Sequence, residues 1–350
     1  MKKDTVYSSY KMAHMMPELY KIKNNEIVSP KCMQIDLTNK CNSKCTFCYY
    51  DIHDHLDDFS RKDVLKKDVA MRTLDDFAEM GGKSVEITGG GEPLLAPYFK
   101  EFSQKARSLG LNKALVTNGI LLDRHIDEVK DYDWVRVSLN AGYPISYQNI
   151  HRIPVNNHYK VVSNLEKLCA KKEEHNIVGV SVIVNGQNYT EVDKIGYIAK
   201  NSGANNIRIS LAHTPEKEGI FSGIWNKVVD GIEKTKKLED DNFKVFSFSN
   251  RINDIARKTQ SGFCFYHHLT TAVGANGGVY PCCYFKGIKQ YNLGNLNDES
   301  FKQIWNGNKR KIFNEKVGYD CKASCWMVDK NKFAQYITMN KEDVGHLNFP

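Results

Sequence analysis

Asp36-Leu37-Thr38-Asn39-Lys40-Cys41-Asn42-Ser43-Lys44-Cys45-Thr46-Phe47-Cys48-Tyr49-Tyr50 places three cysteines on one short segment, directly after an apolar, β-branched run from Met33 to Leu37. Lys40, Asn42, Ser43 and Lys44 surround the thiols, so the three do not read as small core residues. In a reducing compartment, thiolates at C-x3-C-x2-C spacing suit an iron–sulfur cluster, whose four irons each take a ligand. Three cysteines leave one iron open, and an open coordination position on a metal centre is where chemistry happens. The alternative is a zinc knuckle completed by His53 or His55, although zinc sites more often pair their cysteines as C-x2-C.

Outward from this loop, short β-branched runs alternate with longer stretches of helical period, the pattern of βα units around a parallel sheet. The expected strands are Met33 to Leu37, Ser84 to Thr88, Ala114 to Thr117, Trp134 to Leu139, Val178 to Val184 and Ile207 to Leu211. Helices are expected at Thr73 to Met80, Tyr98 to Leu109, Asp123 to Val129, Tyr159 to His175 and Glu191 to Ser202, with Gly81 and Gly110 as stops. Six βα units fall short of the eight that close a barrel, so the expected fold is α/β: an open, partial (β/α)6 TIM barrel with a small cysteine-rich domain after it. The expected division is a lead-in over 1–30 with a helix near Tyr10 to Met16, the barrel over 31–215, a charged bridging helical segment over 216–260, the cysteine-rich domain over 261–335 and a tail over 336–350.

Several strand ends carry residues suited to a site. Thr88-Gly89-Gly90-Gly91-Glu92-Pro93 follows the second strand, and glycines there let a ligand approach the backbone closely. Thr117-Asn118-Gly119 ends the third strand and Val137-Ser138-Leu139-Asn140-Ala141-Gly142 the fourth. Both put small polar side chains at the carboxyl-terminal mouth, where such folds build their sites. Val184 and Leu211 end the fifth and sixth strands, where apolar residues also suit a core.

A second cysteine set lies near the carboxyl terminus: Cys264, then Gly277-Gly278-Val279-Tyr280-Pro281-Cys282-Cys283, then Cys321-Lys322-Ala323-Ser324-Cys325. These thiols can supply four ligands to one further cluster. Four cysteines also suit a structural zinc ion, and spacing alone does not separate the two. Cys32 and Cys169 sit in apolar contexts and read as core.

The chain has 350 residues, room for two domains or for one large domain with an appendage. With 41% hydrophobic and 26% charged residues it is neither disordered, collagenous nor coiled-coil. Ten cysteines are too few for a disulfide scaffold of this length, and no signal peptide or apolar transmembrane run is present. A cytoplasmic home is therefore expected, with thiols reduced and available to metal. The net charge of +8 is compatible with an anionic partner without demanding one, and no nucleic-acid motif accompanies it.

Cys41, Cys45 and Cys48, with Phe47 before the last of them, resemble the CxxxCxΦC signature of the radical S-adenosylmethionine (radical SAM) superfamily. Gly90, Gly91, Glu92 and Pro93 resemble that family's GGEP motif; the segments at Asn118, Ser138 to Asn140 and Arg152 resemble its later motifs, with Asn140 where Asp is usual and Ile153 where Gly is usual. The resemblance implies that Cys41, Cys45 and Cys48 hold a 4Fe-4S cluster whose open iron binds S-adenosylmethionine (SAM). It also implies that Phe47, Tyr49, Gly90, Gly91, Glu92, Asn118, Ser138, Asn140, Arg152, Val184 and Leu211 line the SAM pocket. Reductive cleavage of SAM would give a 5'-deoxyadenosyl radical that takes hydrogen from an unactivated C–H bond.

Cys264, Gly277-x4-Cys282, Leu293-Gly294-Asn295 and Ile304-Trp305 resemble the SPASM domain or its shortened relative. Five cysteines after residue 260 fully ligate one auxiliary 4Fe-4S cluster, assigned to Cys264, Cys282, Cys321 and Cys325, with Cys283 left over or exchanging with Cys282. The implied enzyme oxidises, cross-links or epimerises a peptide or a small metabolite and takes electrons from a flavodoxin or ferredoxin. The alternatives outside enzymology are an iron–sulfur electron carrier and a zinc-stabilised binding module.

Overall fold

Burial alternates along the first strand, β1 (Cys32–Asp36): Met33 and Ile35 are fully buried, whereas Cys32 and Gln34 are partly accessible. The same two-residue period runs through β2 (Ser84–Thr88) and β4 (Trp134–Ser138). It arises because one face of the sheet packs on helices while the other lines an inner, polar concavity. The computed structural model describes residues 7–53, 55–212, 221, 223–247, 263–317, 325 and 327–343.

Strands β1, β2, β3 (Asn112–Thr117), β4, β5 (Ile177–Val184), β6 (Asn206–Leu211) and β7 (Lys244–Ser247) pair in sequence order, all parallel. The six expected strands are present, with ends within about two residues of those expected. β7 is an addition from the segment expected to bridge the domains. That segment also supplies a helix over Trp225–Lys236. On the other side of β1 the sheet continues through β8 (Thr270–Val273), again parallel, and then through β9 (Gly278–Tyr280) and β10 (Gly294–Asn295), both antiparallel. The cysteine-rich region thus extends the barrel's own sheet. Among the described residues β7 and β8 do not pair, so the barrel stays open.

Helix α1 (Met16–Lys23) precedes the sheet and α2 (Tyr49–Ile52), which buries no residue, follows the cysteine loop; the outer face is covered by α3 (Lys67–Glu79), α4 (Phe99–Ser108), α5 (Ile126–Val129), α6 (Pro144–His151), α7 (Asn156–Lys171) and α8 (Val192–Asn201). Gly81 and Gly110 follow α3 and α4 with φ of 89° and 68°, the left-handed stops that a Cβ would disfavour. α6 has no counterpart among the expected helices: its eight residues carry too little apolar period to be read from sequence. The main core unites Met33, Ile35, Val85 and Ile87 with Leu74, Phe77 and Phe102 of α3 and α4. A second apolar cluster joins Met12, Leu19 and Ile22 to Phe265, Leu269 and Ala334, so this amino-terminal stretch packs with the helix Val328–Ile337. No helix among the described residues is long and apolar enough to cross a membrane.

Candidate active site

The cysteine loop is tied down at both sides. Asn39 N–H donates to Asp63 O (2.9 Å), while Lys44 N–H and Thr46 N–H donate to the carbonyls of His151 (3.0 Å) and Ile150 (2.9 Å). Those two carbonyls end α6, where a helix has no internal donors left to offer them. Cys41 is exposed and Cys45 and Cys48 are half-buried; all three are free thiols. Burial pushes the Cys45 thiol up to about 12, and the neighbouring Cys41 and Cys48 add to the rise. The Cys41 and Cys48 thiols are raised as well, again by burial first. The three sulfurs therefore face a common region in which adjacent thiolates are costly unless a cation is present.

Two side chains already address these sulfurs. Arg61 Nη2 lies 2.9 Å from Cys48 Sγ, and His151 Nδ1 lies 3.1 Å from Cys45 Sγ. Arg61 also donates to Asp51 Oδ1 (2.9 Å) and to the Gly90 carbonyl. Hydrogen bonds of this kind support metal-bound thiolates. Among the described residues no three Cys, His, Asp or Glu side chains converge on a single-ion site. Three thiols from one loop, already met by Arg61 and His151, fit a cluster ligated by cysteine.

The glycine turn is built onto this loop. A Cβ on Gly91 would stand 2.1 Å from Lys40 O and 2.5 Å from Asn39 C, and one on Gly90 would stand 2.1 Å from Asn39 Oδ1. Gly90 N–H donates to Asp36 Oδ2 (2.9 Å) and Glu92 N–H to Lys40 O (2.9 Å). The Glu92 carboxylate is buried and accepts from Thr117 Oγ1 (2.6 Å), Asn118 N (2.7 Å) and Leu94 N (3.2 Å). Burial raises its pKa, although these donors oppose the rise. Glu92 thus clamps the turn to the end of β3, and Asn118 Nδ2 continues the link to Asn42 Oδ1 of the cysteine loop (2.6 Å).

Asn140 is buried at the end of β4, accepting from Ile183 N at 2.8 Å, with Nδ2 3.5 Å from His151 Nε2. His151 stacks on Tyr147 with centroids 4.2 Å apart. Burial, aided by His158, pulls its pKa down to about 4. Arg152 is exposed and caps α6 in the left-handed region, at φ 52°. Ser138 lies on the inner face 3.5 Å from Ser181 Oγ. Val184 and Leu211 pair across β5 and β6 and belong to the main apolar core. Phe47 packs edge-on to His151 (6.1 Å), and Tyr49 lies against His53 with its hydroxyl 3.2 Å from His55 Nε2. His53 and His55 are thereby engaged with an aromatic ring next to the loop.

In the second set, Cys264 and Cys325 both raise the Cys282 thiol, after burial and Cys283, so these sulfurs occupy one neighbourhood. Cys321 lies outside the described residues. Cys283 differs from its neighbour: burial pushes it up to about 11, while Lys286, Glu86 and Arg208 act on it from the inner face of the barrel. Lys286 itself reaches Asp36 Oδ1 (2.7 Å), a buried ion pair at the end of β1. Arg61, Asn42, His151 and Lys286 are therefore site neighbours that motif reading missed. His151 adjoins Arg152 in a segment already singled out; Arg61 and Lys286 carry no local signal.

Residues 35–196 match the Radical SAM superfamily, and residues 264–326 match SPASM, an iron-sulfur cluster-binding domain. The chain is 26% identical over 318 residues to the cysteine-type anaerobic sulfatase-maturating enzyme of Clostridium perfringens strain 13, covering 82% of this chain and 83% of that one. It is 22% identical over 307 residues to the tungsten-containing aldehyde ferredoxin oxidoreductase cofactor-modifying protein of Pyrococcus furiosus, covering 81% and 83%. The fold is shared with Streptococcus suis SuiB in its structure bound to precursor peptide SuiA, at a TM-score of 0.61 and 15% identity over 85% of this chain and 69% of that chain. The chain is a radical SAM enzyme: it carries a radical SAM domain followed by a SPASM domain. Its cofactors are 4Fe-4S clusters and SAM, which sets aside the readings as an electron carrier or a zinc module.

Proposed function

We propose that the enzyme abstracts hydrogen from a peptide or protein side chain held between the barrel mouth and the SPASM region, using a SAM-binding cluster on Cys41, Cys45 and Cys48 and one auxiliary cluster on Cys264, Cys282, Cys321 and Cys325. When bound, the first cluster and SAM supply reductive cleavage to methionine and a 5'-deoxyadenosyl radical. The observation that carries the reading is the locking of the three-cysteine loop to the Gly90–Gly91 turn, which leaves thiols and backbone polar groups on one rim.

In this reading Gly90 and Gly91 present backbone to the methionine end of SAM, with Glu92 and Asn118 fixing the turn. The exposed guanidinium of Arg152 holds the SAM carboxylate. Ser138, Asn140, Val184 and Leu211 shape the strand ends, and Phe47 and Tyr49 flank the loop. A peptide substrate is supported by the sulfatase-maturating relative and by the peptide-bound SuiB structure. Cys264, Cys282, Cys321 and Cys325 would hold the auxiliary cluster beside Cys283, where it would supply an acceptor for an electron from the substrate radical, as an oxidation or a cross-link requires. A cytosolic flavodoxin or ferredoxin supplies the priming electron.

The test is anaerobic reconstitution followed by incubation with SAM and dithionite. About eight irons per chain, the two-cluster count, and formation of 5'-deoxyadenosine are expected. Cys41→Ala, Cys45→Ala or Cys48→Ala should abolish cleavage. With a deuterated candidate peptide, label should move into deoxyadenosine; transfer only from a small metabolite would overturn the peptide assignment.

A further inference from the structure

The inner face of the barrel carries cations that the cluster and SAM assignments leave unused. Along β4, Val135 and Val137 enter the core, so Trp134, Arg136 and Ser138 line the concavity. The register sets Arg136 beside Gly179 of β5, and Ser138 beside Ser181, which in turn pairs with Arg208 of β6. Arg136 Cζ stands 4.7 Å from the centre of the Trp134 ring and 5.8 Å from that of Tyr7. Arg208 Cζ stands 5.9 Å from the same Tyr7 ring, so guanidinium groups from two strands meet at one aromatic side chain. Tyr7 also packs edge-on against Phe246 of β7, at 4.7 Å. Arg136 Nη2 donates to Tyr7 Oη at 2.7 Å, and among the described residues no carboxylate pairs with this guanidinium. Glu86, on the same face of β2, is held by Gln34 Nε2 at 2.9 Å. Two residues beyond Arg208, on the same face, Ser210 is 3% exposed and its hydroxyl is buried without a partner.

We infer that Arg136, with Arg208 beside the same ring and the Ser210 hydroxyl nearer the mouth, forms a carboxylate-binding site for the substrate inside the barrel. The inference rests on the peptide reading above and adds a requirement to it: an Asp or Glu side chain close to the residue that is modified. A guanidinium lying against an indole keeps its edge free, and that edge offers paired N–H groups to a carboxylate. Tyr7 fixes the group through Nη2 and leaves the other donors to a ligand. The rings of Trp134 and Tyr7 displace water from the guanidinium, which strengthens its attraction for an anion. Arg136 precedes Ser138, at the strand end, by two residues, about 7 Å along a strand. A carboxylate seated there anchors the substrate below the mouth and presents a neighbouring C–H bond towards it.

The experiment titrates the full-length, cluster-reconstituted enzyme anaerobically, by isothermal calorimetry, with four probes: the capped peptide acetyl-Gly-Glu-Gly-amide, its Gln twin, glutarate and inorganic phosphate. The Glu peptide is expected to bind about tenfold or more tightly than its Gln twin, as a charge-assisted pair requires, with a preference that shrinks as salt is raised. Arg136→Gln should remove the preference. Arg136→Lys should keep part of it, since an ammonium retains the charge without the paired donors, and it carries the comparison if Arg136→Gln does not fold. Equal binding of the two peptides, or a preference undiminished in the Arg136 variants, overturns the inference: a guanidinium that merely closes the barrel treats acid and amide alike. No binding of either carboxylate probe, whether or not phosphate binds, overturns it as well. Binding of glutarate that is lost in Arg136→Gln, without binding of the Glu peptide, upholds the carboxylate site and overturns the peptide reading instead.

Discussion

Asn140 stands where a carboxylate would make a different site. Its amide oxygen takes the Ile183 N–H, so its Nδ2 faces His151 Nε2, which is an acceptor when the imidazole is neutral and its Nδ1–H points at Cys45 Sγ. Asn140→Asp would place a negative charge there and favour the imidazolium. The expected outcome is an upward shift of the His151 pKa from about 4, read from its ring resonances in an NMR titration. An unmoved titration would contradict this hydrogen-bond chain. Arg61 acts on the other side of the loop, where one guanidinium joins Cys48 Sγ, Asp51 and the Gly90 carbonyl. Arg61→Gln should lower deoxyadenosine formation by about 10–100-fold, as loss of outer-shell support to metal ligands does, with iron content measured alongside the rate.

At the scale of elements, α6 does two jobs with its last turn. Its terminal carbonyls hold the cysteine loop, and Arg152 ends it in a left-handed conformation that L side chains resist. Arg152→Gly should therefore relieve about 1 kcal/mol of backbone cost. In the same variant the KM for SAM should rise, because the guanidinium is gone; thermal unfolding and steady-state cleavage read the two opposite effects. The second junction is the Lys286–Asp36 pair, which fastens the segment after β9 to the end of β1, while Asp36 also accepts from Gly90 N–H. Lys286→Met leaves a buried carboxylate without its cation. The expected loss is about 3–5 kcal/mol in denaturant unfolding, largely recovered by adding Asp36→Asn, which keeps an oxygen for Gly90. Absence of recovery would mean that Lys286 acts through something other than this charge.

Across the whole molecule, the cysteine-rich region and the barrel are one construction. β8 pairs with β1, Phe301 meets Phe77 of α3 edge-on at 6.1 Å, and Trp305 Nε1 donates to Val28 O at 2.8 Å. Beneath that junction sit His267 and His268, 4.0 Å apart, both neutral; burial holds His268 down to about 2 and His267 well below its usual range. Their folded pKa values lie below the unfolded value near 6.5, so the unfolded chain binds more protons once the pH falls below it. Stability is full above about pH 6.5 and should decline by about 1.4 kcal/mol per pH unit for each histidine below it. Unfolding followed in urea between neutral pH and mild acid measures the slope, and His268→Gln should reduce it.

Much of the site was legible locally. The Cys41, Cys45 and Cys48 spacing, the glycine turn and the β-branched runs are decided by neighbours in the chain, because ligand spacing, backbone freedom and strand period are local properties. Arg61, Lys286 and Arg136 were not legible: a lysine or arginine in a charged chain looks like solvated surface until folding brings a thiol, a carboxylate or an indole against it. Nor was β7, whose four residues become a strand only by pairing with β6. By itself the sequence determined the order of βα units, the two cysteine sets and the class of chemistry they serve. The tertiary structure decided that the second cysteine region continues the barrel sheet and which charges are buried, because burial and pairing depend on contacts between residues far apart in the chain.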